Sequence, residues 1–190
     1  MSMSGRVWKP TREQIQNAFG KKMTDVIGPG LKVLFCGINP SLYSAAVGHH
    51  FARPGNRFWP TLHAAGFTDR LFNAFEDAQL LERGYGITNV VERATATAAE
   101  LKPEEYVEGG RRLEAKVRRY KPRVLAVLGV GAYRAAFGKK EAEVGRQEGR
   151  LGGAQVWVLP NPSGLNAHYR LADLARVYQE MRTAVEGGVK

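Results

Sequence analysis

Four short apolar runs recur along the chain, at residues 32–38 (KVLFCGI), 86–91 (GITNVV), 123–129 (RVLAVLG) and 155–159 (QVWVL), separated by stretches long enough for helices. Near-continuous apolar strands of this kind are buried on both faces, and a chain that returns to each strand through a helix lays the strands parallel. The pattern predicts an α/β fold: a three-layer α/β/α arrangement around a central, mainly parallel four-stranded sheet. Helices are read at 11–27, where Thr11 caps and Ile15, Phe19, Met23 and Val26 share a face, and at 56–66 behind Asn56. Further helices are read at 76–81, at 103–120 behind Pro103, at 132–137 and at 169–185, the last with Leu171, Leu174, Tyr178, Met181 and Val185 facing inward. Residues 139–153 read as a charged and glycine-rich excursion. A length of 190 residues suits one core. The expected division is a helical extension over 1–28, packed on a single domain over 29–190.

Cys36 is the only cysteine and lies inside the first apolar run, where it reads as a core thiol. A lone cysteine excludes intrachain disulfides, cysteine zinc sites and cysteine-ligated iron–sulfur clusters. His49, His50 and His63 have no partner at ligand spacing, so no metal is expected. The sequence has no uninterrupted apolar run of about 18 residues, and the first ten residues lack the apolar block of a signal peptide. A soluble, cytoplasmic protein without membrane contact is the expectation. Lys and Arg number 28 against 18 Asp and Glu, a formal charge of +10. On a folded surface that excess attracts polyanions, although it also serves solubility alone. The densest basic run, Arg111 to Arg123, reads as a solvated helix face.

In open α/β sheets, ligands bind beyond the carboxyl ends of the strands, here at Asn39, Glu92, Gly129 and Asn161. Gly129-Val130-Gly131 is similar to the start of a dinucleotide-binding loop, but Arg134 stands at the third glycine position. It reads as packing and turn chemistry, and a nucleotide-using enzyme is a competing reading that predicts indifference to DNA. Two other exits pair Asn with Pro: GINPS at 37–41 and NPSGL at 161–165, with FARPGNRFW at 51–59 between them. Either Asn-Pro pair alone is ordinary turn chemistry. The three segments in this order resemble the mismatch-specific uracil/thymine-DNA glycosylase family of the uracil-DNA glycosylase superfamily, over about residues 30–185.

The resemblance implies a monofunctional enzyme that flips a pyrimidine out of double-stranded DNA and hydrolyses its N-glycosidic bond. Uracil, and thymine or other damaged pyrimidines, in G·U and G·T mispairs would be its substrates, in base excision repair. Neither metal nor cofactor is implied, and a monomer is expected. Asn39 would orient the attacking water; an amide cannot ionise, so the chemistry should be slow. Asn161 stands where efficient uracil enzymes of the superfamily place a His, and it can donate one neutral hydrogen bond to the departing base. Backbone groups near Ile38 and Phe51 match the pyrimidine-recognition positions, and Ser44 matches a side chain of the same pocket. Phe51 matches the stacking platform for the flipped base, against the plainer reading of a core Phe under a loop. Gly164, Leu165 and Asn166 match the wedge that fills the gap in the duplex.

The chain departs from the family pattern directly after Leu165. Asn166 and Ala167 stand where relatives often carry Ser and Arg, which makes His168 and Arg170 the candidates for the local phosphate contact, with Arg53 and Arg57 beside them. Glu92 is a separate candidate for aligning water or stabilising the sugar cation, against an ordinary ion pair with Arg93. The Asn-Pro motifs hold no Lys for a Schiff base, so strand cleavage is not expected. Because neither position 39 nor position 161 is ionisable, a non-catalytic base-flipping damage sensor is the alternative. The lone cysteine also sets the chain apart from the iron–sulfur branches of the superfamily.

Overall fold

The computed structural model describes residues 7–188. The first six residues of the 1–28 extension lie outside them. Strands β1 (Val33–Gly37), β2 (Tyr85–Asn89) and β3 (Val124–Leu128) are buried at every position, as two-sided cover requires. With β5 (Ala154–Leu159) they form the parallel part of the sheet, in register Val33 with Tyr85, Val33 with Val124 and Val124 with Gln155. A fifth strand, β4 (Gly145–Leu151), pairs antiparallel with β5, and the sheet order is β2-β1-β3-β5-β4.

The expected four strands are therefore five. β4 lies inside the 139–153 excursion and carries the sequence GRQEGRL, which has no apolar alternation because this edge strand is largely solvated. A Gly152-Gly153 turn joins it to β5, and both residues take positive φ, +56° and +97°.

Successive side chains of β1 point to opposite faces and build two cores. Val33 and Phe35 pack with Phe58 and Leu62 of α3 (Phe58–Ala64) and with Tyr178 and Met181 of α6 (Leu171–Gly187). Leu34 and Cys36 pack with Leu113 and Val117 of α4 (Pro103–Tyr120) and with Tyr133 and Ala136 of α5 (Val130–Phe137). Between β1 and α3, α2 (Leu42–Val47) is capped by the Ser41 hydroxyl and stopped by Gly48 at φ +75°. Two 3-10 segments, Ala74–Arg83 and Ala98–Glu100, flank β2.

The N-terminal reading needs correction. Only α1 (Arg12–Gln16) is helical; residues 17–20 turn, and the chain then runs along the sheet edge through isolated bridges at Lys22 and Val26. Val26 exchanges two backbone hydrogen bonds with Ile87, at 2.9 and 2.7 Å, and Lys22 bridges Arg93. β2 is an edge strand with unpaired backbone groups, and the extension satisfies part of them, which outweighs the helical spacing of its apolar residues.

Mid-helix glycines cost about 1 kcal/mol each relative to alanine, yet α4 contains Gly109-Gly110. A Cβ at Gly109 would lie 2.2 Å from the Val90 carbonyl oxygen, and one at Gly110 would lie 2.6 Å from that of Ala136. The pair lets α4 sit against the exit of β2 and against α5. Gly109→Ala should therefore lower stability by about 1–3 kcal/mol despite its better helix propensity. Urea denaturation checks this, and an unchanged or raised midpoint would contradict the contact.

Candidate active site

The carboxyl ends of β1, β2 and β5 open into a cavity of about 410 Å³. Ile38, Asn39, Ser44, Phe51, Arg53, Asn161, Leu165 and Asn166 all line it, so segments more than a hundred residues apart meet there.

Asn39 follows β1, and Pro40 prevents the ladder from continuing. Its Nδ2 donates to the Arg93 carbonyl at 3.0 Å and to Thr95 Oγ1 at 2.7 Å. A carbonyl can only accept, so the amide orientation is chemically determined: both hydrogens are committed and Oδ1 is left as an acceptor. Thr95 is 1% exposed, and its own hydroxyl donates to the Thr97 carbonyl at 2.8 Å. Its backbone N–H donates to the Pro40 carbonyl at 3.2 Å, which ties the segment after β2 to the segment after β1.

Asn161 is fixed in the opposite sense. Its Oδ1 accepts from the Ser163 backbone N–H at 3.0 Å. An N–H can only donate, so the Asn161 oxygen is engaged and its Nδ2 is left as a donor. Asn166 Nδ2 braces the same turn by donating to the Asn161 carbonyl at 3.0 Å. The cavity thus carries one amide offered as acceptor and one offered as donor.

Phe51 takes φ +53°, a left-handed conformation that costs a bulky residue roughly 1–2 kcal/mol. Its neighbours hold it there. The His50 N–H donates to Asp77 at 3.0 Å, and the Ala52 N–H donates to Ser44 Oγ at 3.0 Å. Phe58 stacks on the Phe51 ring at 4.0 Å between centroids and 22° between planes. Gly37 is required beneath it, since a Cβ there would meet Asn89 Oδ1 at 2.6 Å and Phe51 Cζ at 3.2 Å. The backbone N–H groups of Ile38 and Phe51 have no hydrogen-bond acceptor among the described residues. Ser44, buried, lines the cavity and anchors the loop that carries Phe51.

Leu165 stands at the rim with 72% of its surface exposed. Its loop needs Gly164, where a Cβ would lie 2.6 Å from the Gly55 carbonyl oxygen. Arg53 is exposed and lines the cavity, while His168 and Arg170 are exposed after Leu165 without lining it.

Two expected roles change. Arg57, read as a phosphate contact, instead donates to the carbonyls of Ser163 at 2.7 Å, Asn166 at 2.9 Å and Tyr169. Its guanidinium is a strut under the loop of residues 163–169, committed to carbonyls that need a donor and not to an external anion. Glu92, read as a catalytic carboxylate, does not line the cavity; it pairs with Lys22 at 3.7 Å and Lys116 at 3.9 Å. The turn after β2 aims it at the cations of the N-terminal segment and α4. Arg93 takes Glu105 as its partner, at 2.5 and 2.9 Å, and holds that carboxyl well down, at about 2.

The cavity also contains residues not read from the sequence: Asn89, Thr95, His50 and Met23. Asn89 ends β2, and the strand-exit rule would have found it had the run been closed at 89. Thr95 and Met23 carry no sequence signal. His50 is 3% exposed and its Nε2 donates to the Thr24 carbonyl at 2.9 Å. Burial pushes its pKa below the ordinary value. At the third exit, Gly129 takes φ +142° and caps α5 against Ile38, with no place in the cavity wall.

A family model described as the uracil DNA glycosylase superfamily matches residues 24–182. The chain is also similar to a solution NMR structure described as a candidate uracil DNA glycosylase from Methanosarcina acetivorans. That match has a TM-score of 0.57 and 19% identity, over 86% of this chain and 99% of the other. At that identity the likeness is one of fold.

His50 supplies a prediction about pH. The folded chain refuses a proton that the unfolded chain accepts near 6.5, so this contribution is intact above about pH 6.5 and is lost as pH falls below it. Between roughly pH 7.5 and 5.5, the wild type should lose more stability than His50→Gln, whose amide can still donate to Thr24. Equal losses in denaturant titrations would contradict the assignment.

Proposed function

The chain belongs to the uracil DNA glycosylase superfamily, and from that premise we propose a monofunctional, mismatch-specific enzyme that excises uracil, and thymine or other damaged pyrimidines, from G·U and G·T mispairs. The observation that carries this reading is the opposed fixing of the two amides. Breaking the bond between C1′ and the pyrimidine nitrogen puts positive charge on the sugar and negative charge on the base. Such a reaction calls for an acceptor on the water side and a donor on the base side.

Asn39 Oδ1 holds the water that attacks C1′ as the bond electrons leave with the base. The amide cannot keep the water's proton, which passes to solvent, and the products are free pyrimidine and an abasic site. Asn161 Nδ2 donates to the oxygen of the departing base, with the Ile38 and Phe51 N–H groups as further fixed donors. Phe51 stacks on the base, and Phe58 with the anchored His50 and Ala52 backbone keeps its ring in place before substrate arrives. Recognition through backbone groups and the short Ser44 side chain accommodates more than one pyrimidine.

Leu165 enters the gap left in the duplex, and the Gly164–Asn166 backbone meets the widowed guanine. Flipping costs a few kcal/mol and least at a mispair, which gives selectivity before any base is read. Arg53, His168 and Arg170 lie where phosphates would pass.

The decisive experiment is single-turnover excision, with enzyme in excess over a G·U duplex and abasic sites read by alkali cleavage. Product should form without strand scission by the enzyme; its absence would leave only the base-flipping sensor. Asn39→Ala should lose about a hundredfold or more in rate while keeping mismatch affinity, and Asn161→Ala about a hundredfold. Near-normal rates would remove either residue from the chemistry. Leu165→Ala should impair duplex substrates more than single-stranded ones, and equal losses would refute the wedge.

A further inference from the structure

The end of the sheet opposite the cavity holds a second concavity, of about 800 Å³, and its wall is cationic. Arg118 and Lys121 reach it from the end of α4, Arg123 from the start of β3, and Arg146 and Arg150 from β4. Among the described residues none of its lining is acidic, and of its five cations only Arg118 has a carboxylate partner there, Glu114 at 2.6 Å. Trp157, half-buried on β5 opposite Arg146, forms part of the same wall. Its indole N–H has no hydrogen-bond partner among the described residues.

Two segments distant in sequence therefore deliver like charges to one groove. Their summed field attracts an anion and a concave wall focuses it, with Arg150 also donating to the Gly153 carbonyl at 3.0 Å. We propose that this groove binds the sugar–phosphate backbone of a single-stranded nucleic-acid segment, separate from the DNA engaged at the cavity. The forked guanidiniums match phosphate geometry. A cationic groove with an aromatic side chain in its wall is the arrangement that tracks a single strand, with the ring available for base stacking. The volume falls within the range for ligands of a few hundred Å³ and is too small for a duplex. About 17 Å of β3 separates the groove from the cavity, and the two open at opposite ends of the sheet, so one straight duplex cannot occupy both.

The groove is independent of the proposed excision and can be tested apart from it. Fluorescence anisotropy of a labelled, undamaged oligo-dT is measured on the full chain, free and saturated with mismatched duplex. The strand should bind in both states and quench Trp157 fluorescence. Arg123→Gln/Arg146→Gln/Arg150→Gln should weaken it about tenfold or more and lower the salt slope by about 2, at roughly 0.7 for each phosphate that is no longer neutralised. Single-turnover excision by that variant should match the wild type. A control with the same net charge, Arg111→Gln/Lys139→Gln/Lys140→Gln, should retain strand binding.

Wild-type affinity and salt slope in the groove variant would overturn the proposal, as would an equal loss in the control, which would reduce the effect to net charge. Displacement of the strand by pyrophosphate, with no dependence of affinity on strand length, would assign the groove to a small phosphate and overturn it too. Absence of excision with the groove dependence intact would sink the glycosylase reading and leave the groove standing.

Discussion

The cavity depends on the way Asn39 is held. An asparagine side chain offers a donor end and an acceptor end of nearly equal shape, and a free one would present either. Here the Arg93 carbonyl and Thr95 Oγ1 accept both amide hydrogens, and Thr95 spends its own proton on the Thr97 carbonyl. Every group in that chain has one permitted role, so Oδ1 is presented as an acceptor without a flexible alternative. The arrangement exists because the exits of β1 and β2 lie side by side in a parallel sheet, which brings residues 39 and 95 together across more than fifty residues of sequence.

The other side of the cavity is organised by carbonyls in need of donors. In the loop after β5, Leu165 is left in solvent. Arg57 ties the loop down by donating to three of its carbonyls, and Gly164 allows it to touch Gly55. Hydrogen bonds from a charged donor contribute about 1.5–3 kcal/mol each, enough to order a short loop. The polarity of Asn161 follows from the same loop, through the Ser163 N–H. Strain at Phe51 is the cost of holding an aromatic ring over Gly37 between two fixed neighbours, with Phe58 behind it.

Much of this was legible in the sequence. The apolar runs announced the parallel strands, and the Asn-Pro exits picked out Asn39 and Asn161 because proline ends a strand where α/β sheets bind ligands. What the sequence concealed was partnership. Arg57 reads as a phosphate ligand because a charge pattern cannot reveal three carbonyls folded onto it from residues 163–169. Glu92 reads as an acid at a strand exit, but its direction is set by Lys22 and Lys116, which only the fold brings near. β4 was hidden by its polar face, although Gly152-Gly153 was a hairpin signal. The N-terminal helix failed because the open edge of β2 offered residues 22–26 better hydrogen bonding than helical turns would.

In the proposed mechanism Thr95 acts through Asn39, by fixing its amide. A double-mutant cycle in single-turnover excision measures this coupling, using Asn39→Ala, Thr95→Val and the pair, with Thr95→Ser restoring the hydroxyl. Thr95→Val should slow excision, Thr95→Ser should recover it, and the double variant should be no slower than Asn39→Ala alone. Additive losses, or a Thr95→Ser variant as slow as Thr95→Val, would contradict it.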